Sequence, residues 1–412
     1  MSFSSEYDVY QVRKEFPMFK EDSSFIYFDS AATSQKPQKV IDRMSQFLQE
    51  EYGTVHRAVY ALAASATSRY DEVRQKVRRF LDVREDGEII FTRGTTDGIN
   101  LVASSFGKMF LKEGDEVFIS ETEHHSNIVP WQIICKERKA LLKVIPVNDQ
   151  GEILLDVYKK MLSSKTKLVA VAHISNATGV IHPIAEMIRL AHEQGAVVLI
   201  DAAQSAPHQL ISVKDLDMDF LVFSAHKMYG PTGVGALYGK KKWLDQMPPY
   251  QGGGDMVHQV TFEETTYQPV PLKFEAGTPS IVEVMGLGAA IEFLEEIGLA
   301  KIEAYEKMLT EYAFTKMKKV KEVTLLSHAS NKGAIITFYS TKFHSLDIGT
   351  LLDIKGIAVR TGHLCAQPAL ARFGIQSAVR ISFGMYNTLA EIDYFIKVLE
   401  EVFFLLRDES SL

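Results

Sequence analysis

The sequence predicts an α/β fold, in which a large domain with a mostly parallel β-sheet precedes a smaller α+β domain. Two observations support this prediction. Short, continuously apolar runs alternate with helical stretches through the middle of the chain, and this pattern ends near residue 280. Continuous rather than alternating apolarity is typical of strands that helices cover on both faces, as in a parallel sheet.

Six apolar runs are the predicted strands of the large domain. They cover residues 88–92, 116–120, 168–172, 197–200, 220–223 and 234–238. Between two of these runs, residues 184–193 have the apolar spacing of an amphipathic helix, and Gly195 is a suitable residue to end it. Strands that alternate with helices in this way indicate a sheet wrapped by helices.

The pattern changes in the C-terminal part of the chain. A helical stretch covers residues 282–319 with a break at Gly298. Short strands follow at 334–339 and 379–383, and a terminal helix follows at 389–406. This mixture predicts a separate α+β unit.

The length of 412 residues predicts more than one domain, because one ordinary core rarely takes so long a chain. We divide it into three parts. An N-terminal segment (1–25) is expected to pack on the small domain. The large domain is expected to span residues 26–284, and the small domain residues 285–412.

Composition argues against several classes of protein. With 45 basic and 52 acidic residues the net charge is −7, so no basic face for nucleic acid is indicated. No apolar run approaches the ~20 residues of a membrane helix, and the N-terminus lacks the pattern of a signal peptide. We therefore expect a cytoplasmic protein without membrane or nucleic-acid partners. Only two cysteines occur, Cys135 and Cys365, which excludes a disulfide framework and a cysteine-rich metal site.

Lys227 and Asp201 indicate a pyridoxal 5'-phosphate (PLP) site. Each lies at or just after the end of a predicted strand. A lysine amine forms a Schiff base with PLP, and a carboxylate keeps the pyridine nitrogen protonated so that the ring accepts electrons. Gln204 is placed to hydrogen-bond the phenolic oxygen of the cofactor. For Asp201 alone, capping of the following helix is the alternative.

Three further clusters fit the same cofactor. Thr95 and Thr96 begin a predicted helix, where N–H and hydroxyl donors suit a phosphate, although turn and cap chemistry explains them equally well. Ser224 and His226, beside the lysine, are also candidate phosphate ligands. His124 follows another strand and is our choice to stack on the ring; a capping segment or a surface histidine pair is the alternative. No metal site is expected, because no further ligands have suitable spacing.

Eight segments carry a resemblance to a known family, in a fixed order along nearly the whole chain. They are YFDSAAT (27–33), HHSNIVPW (124–131), SNATG (175–179), DAAQS (201–205), HKMYGPTG (226–233), FEAGTP (274–279), RTGHLCAQP (360–368) and RIS (380–382). Through them the chain resembles the class V, fold-type I PLP-dependent enzymes, and within these the SUF-type cysteine desulfurases.

The resemblance implies a role for each site residue. It assigns PLP itself to Lys227, the pyridine nitrogen to Asp201, the phenolic oxygen to Gln204, the ring face to His124, and the phosphate to Thr95, Thr96, Ser224, His226 and Thr278 from the other subunit of a homodimer. It assigns the α-carboxylate of the substrate to Asn176 and Arg380, with Arg360 nearby. A guanidinium fork suits a carboxylate, and a structural ion pair is the alternative for Arg380.

The resemblance also implies the reaction. Lys227 would remove the α-proton of L-cysteine, and Cys365 would attack the substrate sulfur, take it up as a persulfide and release alanine. From the sequence alone, the neighbouring Arg360 and His363 would be expected to favour a thiolate at Cys365. The persulfide would pass to a small acceptor protein of the SUF system for iron–sulfur cluster assembly. Cys135 has helical spacing and is expected to be a packed core thiol.

Other functions stay open from the sequence. A selenocysteine lyase needs the same scaffold, and another PLP reaction or a degenerate scaffold without activity ranks lower. The chain also departs from the family pattern. Leu364 replaces the second histidine of His-His-Cys-Ala, Ala58 replaces a glycine, Tyr60 replaces a histidine, Asp97 stands where glutamate is usual, and residues 280–284 replace an Asn/Gly-rich turn.

Overall fold

The computed structural model of the chain describes residues 7–19 and 25–409. The α-helices in these ranges are α1 (Val9–Lys14), α2 (Gln38–Gln46), α3 (Ala61–Phe80), α4 (Thr95–Phe110), α5 (Val129–Arg138), α6 (Leu155–Met161), α7 (Ile184–Glu193), α8 (Lys241–Leu244), α9 (Ile281–Ile297), α10 (Leu299–Met317), α11 (Ser345–Ile354), α12 (Gln367–Arg372) and α13 (Leu389–Glu409). The strands are β1 (Ile26–Tyr27), β2 (Gly87–Thr92), β3 (Glu116–Ser120), β4 (Leu141–Ile145), β5 (Thr166–Ala172), β6 (Val197–Asp201), β7 (Phe220–Ser224), β8 (Gly235–Lys240), β9 (Val257–Val260), β10 (Thr265–Tyr267), β11 (Thr324–Leu325), β12 (Ile335–Tyr339), β13 (Ile357–Ala358), β14 (Arg360–Gly362) and β15 (Ala378–Ser382).

A seven-stranded sheet forms the centre of the large domain, in the order β2-β8-β7-β6-β5-β3-β4. All neighbouring pairs from β7 to β4 are parallel, and β8 is antiparallel to both of its neighbours. The prediction of a mostly parallel sheet is confirmed. The edge strand β4 was not predicted. Only Ile145 of its five residues is buried, and Lys143 interrupts the apolar run, so it lacks the pattern of a strand buried on both faces.

Burial on both faces explains why the other strands are continuously apolar. Val198 and Ile200 of β6 belong to one hydrophobic cluster, whereas Val197 and Leu199 belong to another on the opposite face. Successive side chains of a strand point to opposite faces, so both faces of β6 must be apolar. The helices that cover these faces are thereby fixed to the sheet.

The C-terminal part contains a second, four-stranded antiparallel sheet in the order β11-β12-β15-β14. The predicted break at Gly298 is confirmed, since this residue has φ of +93° and separates α9 from α10. Among the described residues no helix combines the length and the apolarity needed to cross a membrane.

The hydrophobic clusters show which segments of the chain pack with each of the two domains. Buried residues of α9 pack in the cluster of the large sheet, and members of the small-domain cluster begin at Leu309 within α10. Ile26 and Phe28 belong to the small-domain cluster, and β1 pairs with β13. The predicted boundary between residues 284 and 285 stays a proposal, and this packing favours a later boundary, within α10.

The N-terminal segment contacts residues that follow β15. The Tyr7 hydroxyl donates to the Met385 carbonyl at 2.6 Å, and Arg13 pairs with Glu391 at 2.8 Å. Phe16 of the same segment packs in the large-domain cluster. Residues 1–6 and 20–24 of the predicted segment, like 410–412 of the predicted small domain, lie outside the described residues. Its packing on the small domain stays a prediction.

The parallel strands bring the candidate residues to one edge of the sheet. The carboxyl ends of β3, β5, β6 and β7 meet there. Asp201 is the last residue of β6, and His124, Asn176 and Lys227 follow β3, β5 and β7. In open α/β sheets this edge is where ligands bind.

Gly235 provides a test of this packing, because it begins β8 against the turn that precedes α4. A Cβ atom added at Gly235 would lie 2.4 Å from the Phe223 carbonyl oxygen and 2.7 Å from Gly94 Cα. We predict that Gly235→Ala lowers the free energy of unfolding by about 3 kcal/mol, measured by urea unfolding. Gly252→Ala, which meets nothing within 4 Å, should change it by less than about 0.5 kcal/mol. Equal stability of the two variants would contradict the packing.

Candidate active site

A cavity of about 240 Å³ lies at this edge of the sheet. Every candidate site residue from the sequence lines it except Thr278: Thr95, Thr96, His124, Asn176, Asp201, Gln204, Ser224, His226, Lys227, Arg360, Cys365 and Arg380. Residues from both parts of the chain thus line one cavity. Ala31, Ala32, Ser126, Ala172, Ala203 and Leu364, which the sequence analysis did not assign to the site, also line it.

Asp201 and Lys227 are charged groups held in a poorly solvated environment. Asp201 is the last residue of β6, is buried, and accepts a hydrogen bond from Ala203 N at 2.9 Å. Burial raises the pKa of Asp201, and the positive charge of Lys227 opposes that rise. Burial lowers the pKa of Lys227 to about 8, and the Asp201 carboxylate opposes that fall. The pair therefore supplies an amine that loses its proton easily beside a carboxylate.

The peptide bond before Lys227 is clamped by a segment that follows β1. The His226 carbonyl accepts hydrogen bonds from the Lys36 ammonium at 2.8 Å, the Ser34 backbone N–H at 3.0 Å, the Thr33 hydroxyl at 3.1 Å and the Ser34 hydroxyl at 3.2 Å. Burial lowers the pKa of Lys36 to about 7. These donors fix the direction of the chain at Lys227. They could not be predicted from the sequence, because they are distant from Lys227 along the chain.

The start of α4 forms a cradle of donors. Gly94 has φ of +147°, and a Cβ there would lie 3.0 Å from Ser224 Oγ. Thr95 N donates to Ser224 Oγ at 2.8 Å, and the hydroxyls of Thr96 and Ser126 share a hydrogen bond of 2.7 Å. Hydroxyl and N–H donors at the start of a 16-residue helix suit a phosphate. With the buried amine and carboxylate, these residues fit PLP.

His124 and its neighbour Glu123 lie at the turn after β3. His124 Nδ1 accepts a hydrogen bond from Ser126 N at 3.0 Å, and burial lowers its pKa to about 3, so the ring is neutral and can stack on a flat ligand. The buried Glu123 carboxylate accepts from Ala172 N at 3.0 Å and from Asn127 at 2.7 Å. Glu123 thus connects the turn after β3 to the end of β5. The sequence offered one signal for Glu123, an acidic residue directly before the histidine.

Gln204 lines the cavity with its amide already oriented. Its Nε2 donates to the Ala31 carbonyl at 2.8 Å, which fixes the side chain against the segment after β1. A fixed amide suits the role that the sequence predicts for this residue, contact with an oxygen of the cofactor.

Arg380 forms the candidate carboxylate site with Asn176. The buried guanidinium pairs with Asp29 at 3.2 Å and donates to the Asn176 carbonyl at 3.1 Å. Among the described residues, Arg380 Nε and Asn176 Oδ1 are buried without a hydrogen-bond partner. The structural ion pair considered from the sequence is therefore present, yet the N–H at Nε of this guanidinium has no partner and can bind a ligand. Arg360 also lines the cavity, and its side chain is exposed. The ion-pair partner of Arg380, Asp29, was not predicted from the sequence.

Cys365 lies in the turn between β14 and α12. Its side chain is partly exposed and lines the cavity with Lys227. A negative charge on Cys365 raises the pKa of Lys227, so the two groups interact electrostatically across the cavity. His363 Nδ1 accepts a hydrogen bond from Cys365 N at 3.1 Å. Cys135 is buried in a hydrophobic cluster, as predicted.

Thr278 lies apart from the other candidates. It lines a separate cavity of about 180 Å³, together with Asp97 and Gln251 of the same chain. Within one chain it therefore does not reach the candidate cofactor site. In the described ranges, no group of three His, Cys, Asp or Glu side chains is arranged to hold a metal ion.

Comparison with known proteins identifies the family. The model of the family "Aminotransferase class-V" matches residues 26–395. The chain belongs to this family. Its members depend on PLP, which agrees with the residues around the cavity. The predicted fold, a fold-type I PLP-dependent transferase, is thereby confirmed.

Cysteine desulfurases are among the relatives of the chain. A cysteine desulfurase of Synechococcus elongatus is 48% identical over 94% of this chain, and the match spans 62% of that relative. This chain thus spans less than two thirds of that relative's length. A cysteine desulfurase of Escherichia coli O7:K1 is 44% identical over 97% of this chain and 99% of the relative. A solved structure of the cysteine desulfurase CsdA (S-sulfonic acid) from Escherichia coli superposes with a TM-score of 0.90 at 37% identity, covering 97% of this chain and 99% of that one.

The pH at which Lys227 becomes a nucleophile tests the electrostatics of the site. Because burial lowers its pKa from 10.5 to about 8, competitive acetylation of the PLP-free protein, followed by mass spectrometry, should give a midpoint near pH 8. The Asp201 carboxylate raises this pKa, so Asp201→Asn should move the midpoint lower. Asp29→Asn should move it less, since Asp29 contributes less. A midpoint near 10.5, or an upward shift in Asp201→Asn, would refute the assignment.

Proposed function

We propose that the chain is a PLP-dependent cysteine desulfurase, which converts L-cysteine to L-alanine and takes up the sulfur on Cys365 as a persulfide. One observation carries the proposal. An amine with a lowered pKa (Lys227), a guanidinium with an unpaired N–H (Arg380) and a thiol (Cys365) line the same cavity. A cysteine substrate needs these three groups for its α-proton, its carboxylate and its sulfur.

Each residue around the cavity would contact a different part of the cofactor. Lys227 would bind it covalently, Asp201 would pair with its pyridine nitrogen, and His124 would cover its ring face. Thr95, Thr96, Ser224 and His226 would hold its phosphate, and Gln204 its phenolic oxygen. When bound, PLP stores the electrons released at the α-carbon of an amino acid.

The substrate would be oriented by its carboxylate. Arg380 and Asn176 would hold this group, with Arg360 at the mouth, so that the α-hydrogen faces Lys227 and the sulfur faces Cys365. The amino group of the substrate would first take the place of Lys227 on the cofactor, and the freed amine of Lys227 would then take up the α-proton. The Cys365 thiolate then attacks the substrate sulfur: a sulfur–sulfur bond forms, the bond between the β-carbon and sulfur breaks, and its electron pair stays with the substrate. Protons added to that fragment complete alanine.

The position of Cys365 favours cysteine over the other candidate substrates. A selenocysteine lyase is the nearest alternative, but a selenol is a better leaving group and has less need of a thiol in the cavity. A scaffold without activity has no use for Lys227, Asp201 and Cys365 in one cavity.

The finer assignments belong to the same proposal. The SUF subtype is proposed on the sequence resemblance alone. Transfer of the persulfide to a small acceptor protein is supported by the position of the thiol on a partly exposed turn. The chain acts as a homodimer in which Thr278 of each subunit completes the phosphate site of the other; its remoteness from the site within one chain supports this. A cytoplasmic location is consistent with two free cysteines.

The two cysteines allow a matched test. We predict that Cys365→Ala binds PLP with an unchanged visible absorption band but forms alanine from L-cysteine at below about 1% of the wild-type rate. Cys135→Ala, in which the buried thiol is removed, should keep wild-type turnover. Alanine and sulfide are measured on PLP-loaded protein with a thiol reductant.

Two results would overturn the proposal. One is wild-type protein that forms no alanine from cysteine even with a sulfur acceptor present. The other is full alanine production by Cys365→Ala.

A further inference from the structure

The turn that carries Cys365 has an unfavourable backbone conformation. Leu364 has φ of +55° and Cys365 has φ of +52°, two consecutive non-glycine residues in the left-handed region. Such residues persist only where the surroundings hold them. The thiol therefore keeps its place because other parts of the protein fasten the turn.

Residues of the large domain hold the turn by hydrogen bonds to its main chain. Asn176 Nδ2 donates to the Leu364 carbonyl at 2.8 Å, and His125 N donates to the Cys365 carbonyl at 2.8 Å. Gln367 N donates to His125 Nε2 at 3.0 Å. The first contact comes from a residue proposed to hold the substrate carboxylate. An amide nitrogen has two hydrogens, so Asn176 can hold the turn and a carboxylate together.

The side chain of Leu364 also holds the turn in place. It is 4% exposed and packs in a small cluster with Leu326, Leu370 and Ala378. It also lines the candidate active site, directly before the thiol. Burial of its apolar surface opposes the strain of the turn, because a relaxed backbone would withdraw the side chain from the cluster.

We propose that Leu364 is a positioning residue for Cys365, whose side chain anchors the strained turn and keeps the thiol directed into the cavity. The proposal deepens the proposed function, since it rests on Cys365 as the sulfur acceptor. Without the anchor the turn relaxes and the thiol is displaced, while the cofactor residues on the large domain stay in place.

The test compares two leucines of one cluster. Leu326 is also 4% exposed and belongs to the same cluster, but it lies outside the thiol turn. Leu364→Ala and Leu326→Ala thus remove the same atoms from the same packing. Both should lower the unfolding temperature similarly and keep the PLP absorption band. Only Leu364→Ala should speed hydrogen exchange of a peptide covering residues 363–367, by about tenfold, and lower kcat for L-cysteine by about tenfold with little change in KM.

Two further variants separate anchoring from folding. Leu364→Met keeps an apolar side chain of similar size and should restore exchange and kcat. Asparagine tolerates the left-handed conformation but is polar, so Leu364→Asn removes the apolar anchor without adding backbone strain. It should show the faster exchange and the lower kcat expected of Leu364→Ala, and it provides the test if Leu364→Ala folds poorly.

The outcomes distinguish this proposal from the function on which it rests. Equal exchange in the Leu364→Ala and Leu326→Ala variants, or wild-type exchange and turnover in Leu364→Asn, would overturn the anchor. If wild-type protein makes no alanine, the proposed function fails, yet the exchange comparison still decides whether Leu364 fastens the turn.

Discussion

The site depends on keeping two charged groups, Asp201 and Lys227, away from bulk water at the ends of neighbouring parallel strands. An isolated charge is costly to bury, so each needs compensation from the other or from a ligand. Their pKa values shift in the directions that burial dictates, upward for Asp201 and downward for Lys227. A cofactor with a basic ring nitrogen and an aldehyde satisfies both groups. The sheet that buries them therefore determines which ligand the cavity suits.

The other residues of the site are held by contacts between segments that are distant along the chain. Residues 33–36 clamp the carbonyl before Lys227, Asp29 pairs with Arg380 of β15, and Asn176 holds the turn before Cys365. Each contact joins residues more than 180 positions apart. The substrate cavity and the thiol turn are thus positioned relative to each other by long-range hydrogen bonds, and the apolar anchor at Leu364 adds a hydrophobic contact at the same place.

The sequence predicted most of the sheet, because apolar runs buried on two faces identified β2, β3, β5, β6, β7 and β8. Polar residues near the strand ends indicated a PLP site. The substrate-binding roles of Asn176, Arg360 and Arg380, and the role of Cys365, came from the family resemblance. The edge strand β4 was missed because solvent covers much of it. Lys36, Asp29 and Glu123 were missed because their roles depend on which distant atoms they meet. Leu364 was noted only as a departure from the family, since its neighbours in the cluster are known only from the fold.

The central claim is that Lys227 and Cys365 act on one substrate molecule. Its most direct test is a single turnover of PLP-loaded protein with L-cysteine and no reductant, followed by peptide mass spectrometry and alanine measurement. The account predicts one alanine per active site and the mass of one added sulfur atom on the peptide that contains Cys365. Alanine without that added sulfur, or sulfur found on Cys135 instead, would contradict it.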